Sequence, residues 1–262
     1  MTIDGFETIR VDVHNHIATV TLNRPEALNA MSTQMFRDLL RAIQEIDQEP
    51  GIWAVVLTGA GRTFCVGADL KERQTMTDAD LRRRRLLAPR VVGALARAKR
   101  PVIAAVNGLA LGGGFEIALC CDMIIAAETA KFALPETTLG VIPAGGGTQR
   151  LPRMIGPQRA KELIFTGRRI TAHEAYNLGI LNRVVPDAEL MPQVIALAEE
   201  ITANAPTAVA QAKRAINASL SIGIDVGLEY EADAYQACIA SPDRLEGLAA
   251  FREKRKPVYS GE

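Results

Sequence analysis

Two glutamates supply the first chemical hint. Glu116 follows Gly112-Gly113-Gly114-Phe115. Glu136 lies twenty residues on, in Phe132-Ala133-Leu134-Pro135-Glu136-Thr137, ahead of Gly140-Val141-Ile142-Pro143-Ala144-Gly145-Gly146-Gly147. Glu116 falls in the first turn of the helix that the triple glycine opens. The apolar run Ile117 to Cys121 follows it, so it sits at the edge of the core. A second glycine loop, Phe64-Cys65-Val66-Gly67-Ala68-Asp69-Leu70, also follows a strand-like stretch and precedes a helix. Such turns leave helix N-terminal amides unpaired, with the positive end of the helix dipole behind them. Three uses are open: a phosphate cradle, two amides converging on one developing negative oxygen, or tight packing of turns. Neither loop has the spacing G-x-x-x-x-G-K-[ST] or G-x-G-x-x-G, so a nucleotide is poorly supported. Two carboxylates beside an oxyanion hole could move protons at carbon next to a polarised carbonyl. The plain alternative is that Glu116 caps its helix and Glu136 is surface charge.

The elements that must place these groups alternate in type. Ile17 to Leu22 reads as a strand, stopped by Asn23-Arg24-Pro25. Ser32 caps a helix to about Gln48, with Met35, Phe36, Leu39, Leu40, Ile43 and Ile46 at helical spacing. Trp53 to Thr58 is a short buried strand and Val102 to Val106 another, with Asp122 to Ala127 returning as strand. Residues 78–98 read as helix that Pro89 must kink or split. Strand and helix at this rhythm argue for an α/β domain with covered sheets. From about Met191 the pattern turns helical, over 192–204, 206–219, 224–240 and 242–254, with Pro206 and Pro242 at starts. The expected division is an α/β body over 1–195, holding the active site, and a helical part over 196–262.

Composition bounds the function. At about 150 residues per domain, 262 residues make one full core with a smaller appended piece. Thirty basic and thirty acidic residues cancel, which argues against nucleic acid as partner. No apolar run reaches about 18 residues and the start, Met1-Thr2-Ile3-Asp4, lacks a basic n-region, so neither a membrane span nor a signal peptide is expected. The four cysteines form no C-x-x-C, and Cys120 and Cys121 read as buried thiols, consistent with a cytoplasmic protein. His14 and His16 lie two apart with no third ligand near, so no metal site is expected.

The motifs are similar to those of the enoyl-CoA hydratase/isomerase, or crotonase, family. Those motifs are Leu22-Asn23-Arg24-Pro25, Phe64 to Asp69, Asn107-Gly108-Leu109-Ala110-Leu111-Gly112-Gly113-Gly114-Phe115-Glu116, Cys121-Asp122, Pro135-Glu136 and Gly145-Gly146-Gly147-Thr148-Gln149-Arg150. Gly167 to Ala172 and Ala175 to Ile180 also fit, and the resemblance runs essentially end to end. Gly67 to Arg73, Arg150 to Arg153, Ala160 to Phe165 and Asp243 to Leu248 look most like the methylglutaconyl-CoA hydratase branch. The resemblance implies a crotonase-like spiral of ββα units with a helical C-terminal region used for trimerisation, as a homotrimer or a hexamer built as a dimer of trimers. It implies an acyl-CoA substrate whose thioester oxygen receives the amides of Ala68 and Gly113. Glu116 would help deprotonate a water above C3 of a 2-enoyl-CoA, and Glu136 would deliver a proton to C2. Coenzyme A would be held near Ala27, Leu28, Ala68, Asp69, Leu70 and Gly114, with Lys71 and Lys254 as phosphate partners. No cofactor is required beyond the CoA of the substrate.

Both glutamate positions are filled, which favours hydration over the alternative of Δ3,Δ2-enoyl-CoA isomerisation. Two departures touch the pocket. Ala144 stands where relatives often have glycine and would be strained at positive φ. Phe115 replaces a smaller residue and would narrow the pocket. The segment 74–90, capped by Thr77, is expected to line the acyl end. One of Arg82 to Arg85 is the candidate partner for an acyl group with a terminal carboxylate. The non-enzyme alternative, a scaffold or RNA-binding protein displaying those arginines, is weakened because consecutive residues spread around a helix.

Overall fold

A computed structural model describes residues 2–261. Eleven strands form two sheets among the described residues. The larger has the order β1 (Thr2–Ile3), β2 (Ile9–His14), β3 (Ile17–Leu22), β4 (Ala54–Gly59), β6 (Val102–Val106), β8 (Met123–Ala127), β11 (Arg183–Val185). The smaller has the order β10 (Ile170–Thr171), β9 (Lys131–Ala133), β7 (Leu109–Leu111), β5 (Thr63–Cys65). From β3 to β11 the large sheet is parallel, and β5, β7 and β9 run parallel in the small one.

The chain steps repeatedly from a large-sheet strand to a small-sheet strand and then into helix. β4 and β5 lead to α2 (Leu70–Gln74), α3 (Asp78–Arg85) and α4 (Leu87–Arg97). β6 and β7 lead to α5 (Gly113–Ala118). β8 and β9 lead to α6 (Gly147–Ile155) and α7 (Pro157–Thr166). These are the ββα units the resemblance implies, wound so that the loops after β5 and β7 lie side by side.

Burial explains the apolar strands. Every residue of β4 and β6 is buried, as expected for strands covered on both faces. Val55 and Leu57 point into the larger core, where α1 (Thr33–Gln48) packs, while Ala54 and Val56 point into a second core. That second core is closed by Leu190, Val194 and Ala198 of α9 (Leu190–Thr202). Alternate residues thus face opposite layers, as the pleat requires. α8 (Ala172–Asn177) precedes β11, and α10 (Pro206–Ser219), α11 (Ile224–Ile239) and α12 (Pro242–Glu253) complete the chain.

One expectation changes. The helix over 78–98 does break, but at Leu86; Pro89 sits in the first turn of α4, where a missing N–H costs no intrahelical bond. His16 stacks its ring on Trp53 at 3.9 Å, and no group of three metal-binding side chains occurs among the described residues.

Candidate active site

The loop after β5 is held by one short stretch of backbone. Met31 N–H donates to Gly67 O at 2.7 Å, and Asp69 N–H donates to Met31 O at 3.2 Å. This is a parallel bridge between Met31 and Ala68. Because Met31 bonds the residues on either side of Ala68, the N–H of Ala68 itself faces away from Met31. Across from it, Gly113 is the first residue of α5, so its N–H has no intrahelical acceptor. The two loops touch through backbone: a methyl group on Gly67 would fall 2.8 Å from Leu111 O and 3.0 Å from Gly113 N. Gly67 also has φ +87°, a conformation that glycine adopts without strain. The amides of Ala68 and Gly113 are therefore presented from adjacent loops.

Glu116 is not the group at the core edge, or the helix cap, that its sequence position suggests. It is buried, and its Oε1 accepts N–H groups from Gly145 at 2.7 Å and Gly147 at 2.8 Å. Burial pushes its pKa up, and the amides of Gly147, Gly145 and Ala144 pull against that rise. A methyl group on Gly145 would lie 2.7 Å from Glu116 Oε2, so glycine is needed for the loop to come this close. Ala144 is not among the positive-φ residues, so the expected strain is absent.

Glu136 stands in a 3₁₀ turn over Pro135–Leu139. Its Oε1 is 3.1 Å from where a methyl on Gly112 would sit, one residue from the Gly113 amide. Its Oε2 is buried with no hydrogen-bond partner among the described residues and is available to bond a reactant. Its pKa is pushed up to about 7, first by burial and then by the charge of Glu116; its own backbone amide and the Arg73 guanidinium resist the rise. Glu116 thus has amide donors that favour its ionised form against the effect of burial, while Glu136 is protonated about half the time near neutrality. Two carboxyl groups, one held by backbone amides and the other half-protonated near neutrality, stand beside two presented amides, a set suited to adding or removing water next to a carbonyl.

The remaining candidates separate by place. Ala68, Asp69 and Leu70 lie in the loop after β5 and the start of α2, and Lys71 is exposed on α2. Asp69 is already engaged: its Oδ1 caps α2 at Glu72 N–H, and its Oδ2 pairs with Arg24 at 2.9 Å. Ala27 and Leu28 close the neighbouring turn, Leu28 at φ +52°. Gly114 has a packing role, since a methyl there would meet Cys65 O at 2.1 Å. Lys254 is exposed at the end of α12.

Phe115 does not narrow the pocket by pointing into it. Its ring is buried in the core 5.2 Å from Phe132. Nor do the four arginines act as a run. Arg82, Arg83 and Arg85 are exposed and Arg84 is buried. Sequence reasoning missed Gly145 and Gly147 as donors to Glu116, and Arg73 as the cation acting on Glu136. A glycine run following Glu136 was the available signal for the first; nothing local marks the second.

The Enoyl-CoA hydratase/isomerase family model matches residues 12–262. The chain is 51% identical over 249 residues, 95% of this chain and 96% of the relative, to the Bacillus subtilis protein YngF, which carries the provisional name enoyl-CoA hydratase/isomerase. It is 44% identical over 241 residues, 92% of either protein, to a short-chain-enoyl-CoA hydratase of Clostridium acetobutylicum. A crystal structure of an enoyl-CoA hydratase from Bacillus anthracis matches with TM-score 0.95 and 46% identity, covering 98% of this chain and 100% of that one.

Proposed function

The chain belongs to the enoyl-CoA hydratase/isomerase family, and from that premise we propose that it is a hydro-lyase adding water across the C2=C3 bond of a 2-enoyl-CoA. The observation that carries this reading is the pairing of Glu116, held by two backbone amides, with Glu136, raised to about 7, beside the presented amides of Ala68 and Gly113. The thioester oxygen accepts from Ala68 and Gly113, which drains electron density from C3. Glu116 takes a proton from water as its oxygen bonds C3, and Glu136 gives a proton to C2. Each oxyanion donor contributes about 3 kcal/mol in the transition state. The step is redox-neutral, and carboxylates and amides supply all the proton transfer and polarisation it needs, so no cofactor beyond the CoA of the substrate is part of this reading. Pantetheine and nucleotide fall to Ala27, Leu28, Ala68, Asp69, Leu70 and Gly114, with Lys71 and Lys254 toward the phosphates.

The acyl group is short on the strength of the Clostridium acetobutylicum relative's name. A second reading, 3-methylglutaconyl-CoA, rests on the branch-like stretch Gly67 to Arg73 and on Arg73, an exposed cation acting on Glu136. A terminal carboxylate would suit its guanidinium. Arg84, buried and engaged, does not serve that role. A hydration panel followed by loss of enoyl thioester absorbance decides among crotonyl-CoA, a long-chain enoyl-CoA and 3-methylglutaconyl-CoA. Turnover of crotonyl-CoA is expected. A kcat/KM favouring 3-methylglutaconyl-CoA selects the second reading, and no absorbance loss with any of them overturns both.

The division into a core over 1–195 and an oligomerisation part over 196–262 remains part of the proposal; the boundary falls within α9. Exposed Ile216, Leu220, Leu228 and Leu248 support a homotrimer or a dimer of trimers. Light scattering showing a monomer at micromolar concentration would overturn it. No helix among the described residues is long and apolar enough to cross a membrane, and we place the protein in the cytoplasm on its cysteine usage.

A further inference from the structure

α3 is an almost wholly polar helix, and one side chain turns inward from it. Among its eight residues only Arg84 is buried. Its Nη2 donates to Met31 O, its guanidinium stacks 5.0 Å from the Phe36 ring of α1, and its Nε faces Glu72 Oε2 at 3.5 Å. Burial lowers its pKa, with Arg73 adding to the fall and Glu72 and Asp69 opposing it.

The acceptor matters more than the charge. Met31 O is the same carbonyl that receives Asp69 N–H, and Met31 N–H fixes Gly67 O, so Met31 brackets Ala68. The stretch carrying Met31 is itself held on both sides. Arg24 Nη1 donates to Ala30 O at 2.7 Å, and Thr33 N–H donates to the two oxygens of Glu72 at 2.9 and 3.1 Å. Three charged side chains, from the turn at Arg24, from α2 and from α3, therefore converge on four residues of backbone that set the Ala68 amide. A buried arginine held by one backbone carbonyl and one carboxylate is costly to place. α3 contributes no other buried side chain that would explain the arrangement as packing.

We propose that Arg84 is a positioning residue for the hydration step: through Met31 O and Glu72 it fixes the direction of the Ala68 N–H and ties α3 to the oxyanion loop. This rests on the reading of Ala68 and Gly113 as thioester donors, and the test separates the two. Arg84→Met, Arg84→Lys and Glu72→Gln are made in the full chain. Each is assayed for crotonyl-CoA hydration, thermal midpoint, and the red shift of a bound cinnamoyl-type CoA thioester, whose absorbance moves when its carbonyl is polarised. In Arg84→Met, kcat falls about tenfold, a fraction of the cost of losing a donor outright, KM changes by less than about threefold, and the red shift shrinks. Arg84→Lys, which keeps the charge and one bond, recovers part of both. Glu72→Gln shifts both in the same direction by less. If Arg84→Met does not fold, the other two variants carry the same expectation. A full wild-type red shift in every folded variant overturns the proposal, whatever happens to the thermal midpoint. A wild-type protein that binds the probe with no red shift overturns the reading of Ala68 and Gly113 instead.

Discussion

Replacing Gly145 with alanine puts a methyl group 2.7 Å from Glu116 Oε2, 3.1 Å from its Cδ and 3.3 Å from its Cβ. Non-bonded heavy atoms rest about 3.5 Å apart, so the carboxylate must retreat by roughly 0.8 Å. It cannot do so and keep both bonds to Gly145 N–H and Gly147 N–H, which hold its other oxygen at 2.7 and 2.8 Å. A catalytic group displaced by about 1 Å costs on the order of a hundredfold. Gly145 is not at positive φ, so the new side chain brings no backbone strain. Gly140→Ala is the natural control, since Gly140 has φ +74° with nothing within 4 Å of the added methyl. That variant pays in backbone conformation alone, about 1–2 kcal/mol. The two variants should then differ in crotonyl-CoA hydration rather than in thermal unfolding. Gly145→Ala loses kcat by about a hundredfold and also lowers the thermal midpoint as Glu116 gives up a bond, whereas Gly140→Ala lowers the midpoint while keeping kcat. Wild-type kcat in Gly145→Ala, or an equal kcat loss in Gly140→Ala, refutes the view that this glycine exists to seat Glu116.

Two further outcomes follow from the same geometry. Glu136 titrates at about 7 in the folded chain against an ordinary value of 4.5, so between those pH values the folded state holds a proton the unfolded state has lost, and the group's contribution to stability falls as pH rises through that window. Glu136→Gln should therefore have a higher thermal midpoint than wild type above pH 7 and no advantage below pH 4.5, while the kcat/KM of wild type declines above about pH 7 as the acid is lost. Asn29 is fully buried at φ +55°, with its amide nitrogen serving Ala60 O and Thr63 O and its oxygen taking Arg24 N–H. Asn29→Ala leaves those groups unpaired and should cost about 2–4 kcal/mol in urea unfolding.

Much of the scaffold was legible because its signals are local. Ser32 caps α1 by accepting from Met35 N–H, and Met35, Phe36, Leu39, Ile43 and Ile46 form its buried stripe. Strands β3 and β6 fall where the apolar runs lie, since strands covered on both faces need no polar alternation. The α3–α4 break was misplaced because proline stops a helix interior but is tolerated in a first turn. Glu116 was found by type and spacing, yet its true partners are 29 and 31 residues away, beyond any local pattern. Arg84 was illegible in kind: within four consecutive arginines only tertiary structure, here the Met31 carbonyl, distinguishes the one that turns inward.

The central claim is that both glutamates move protons in one hydration step. The kcat of crotonyl-CoA hydration by Glu116→Gln and Glu136→Gln tests it most directly, because each swap keeps the shape of the side chain and removes one carboxylate. Each variant should lose about a hundredfold or more in kcat while remaining folded. A loss confined to one variant would point to an isomerase-like use of a single glutamate, and wild-type rates in both would contradict the account outright.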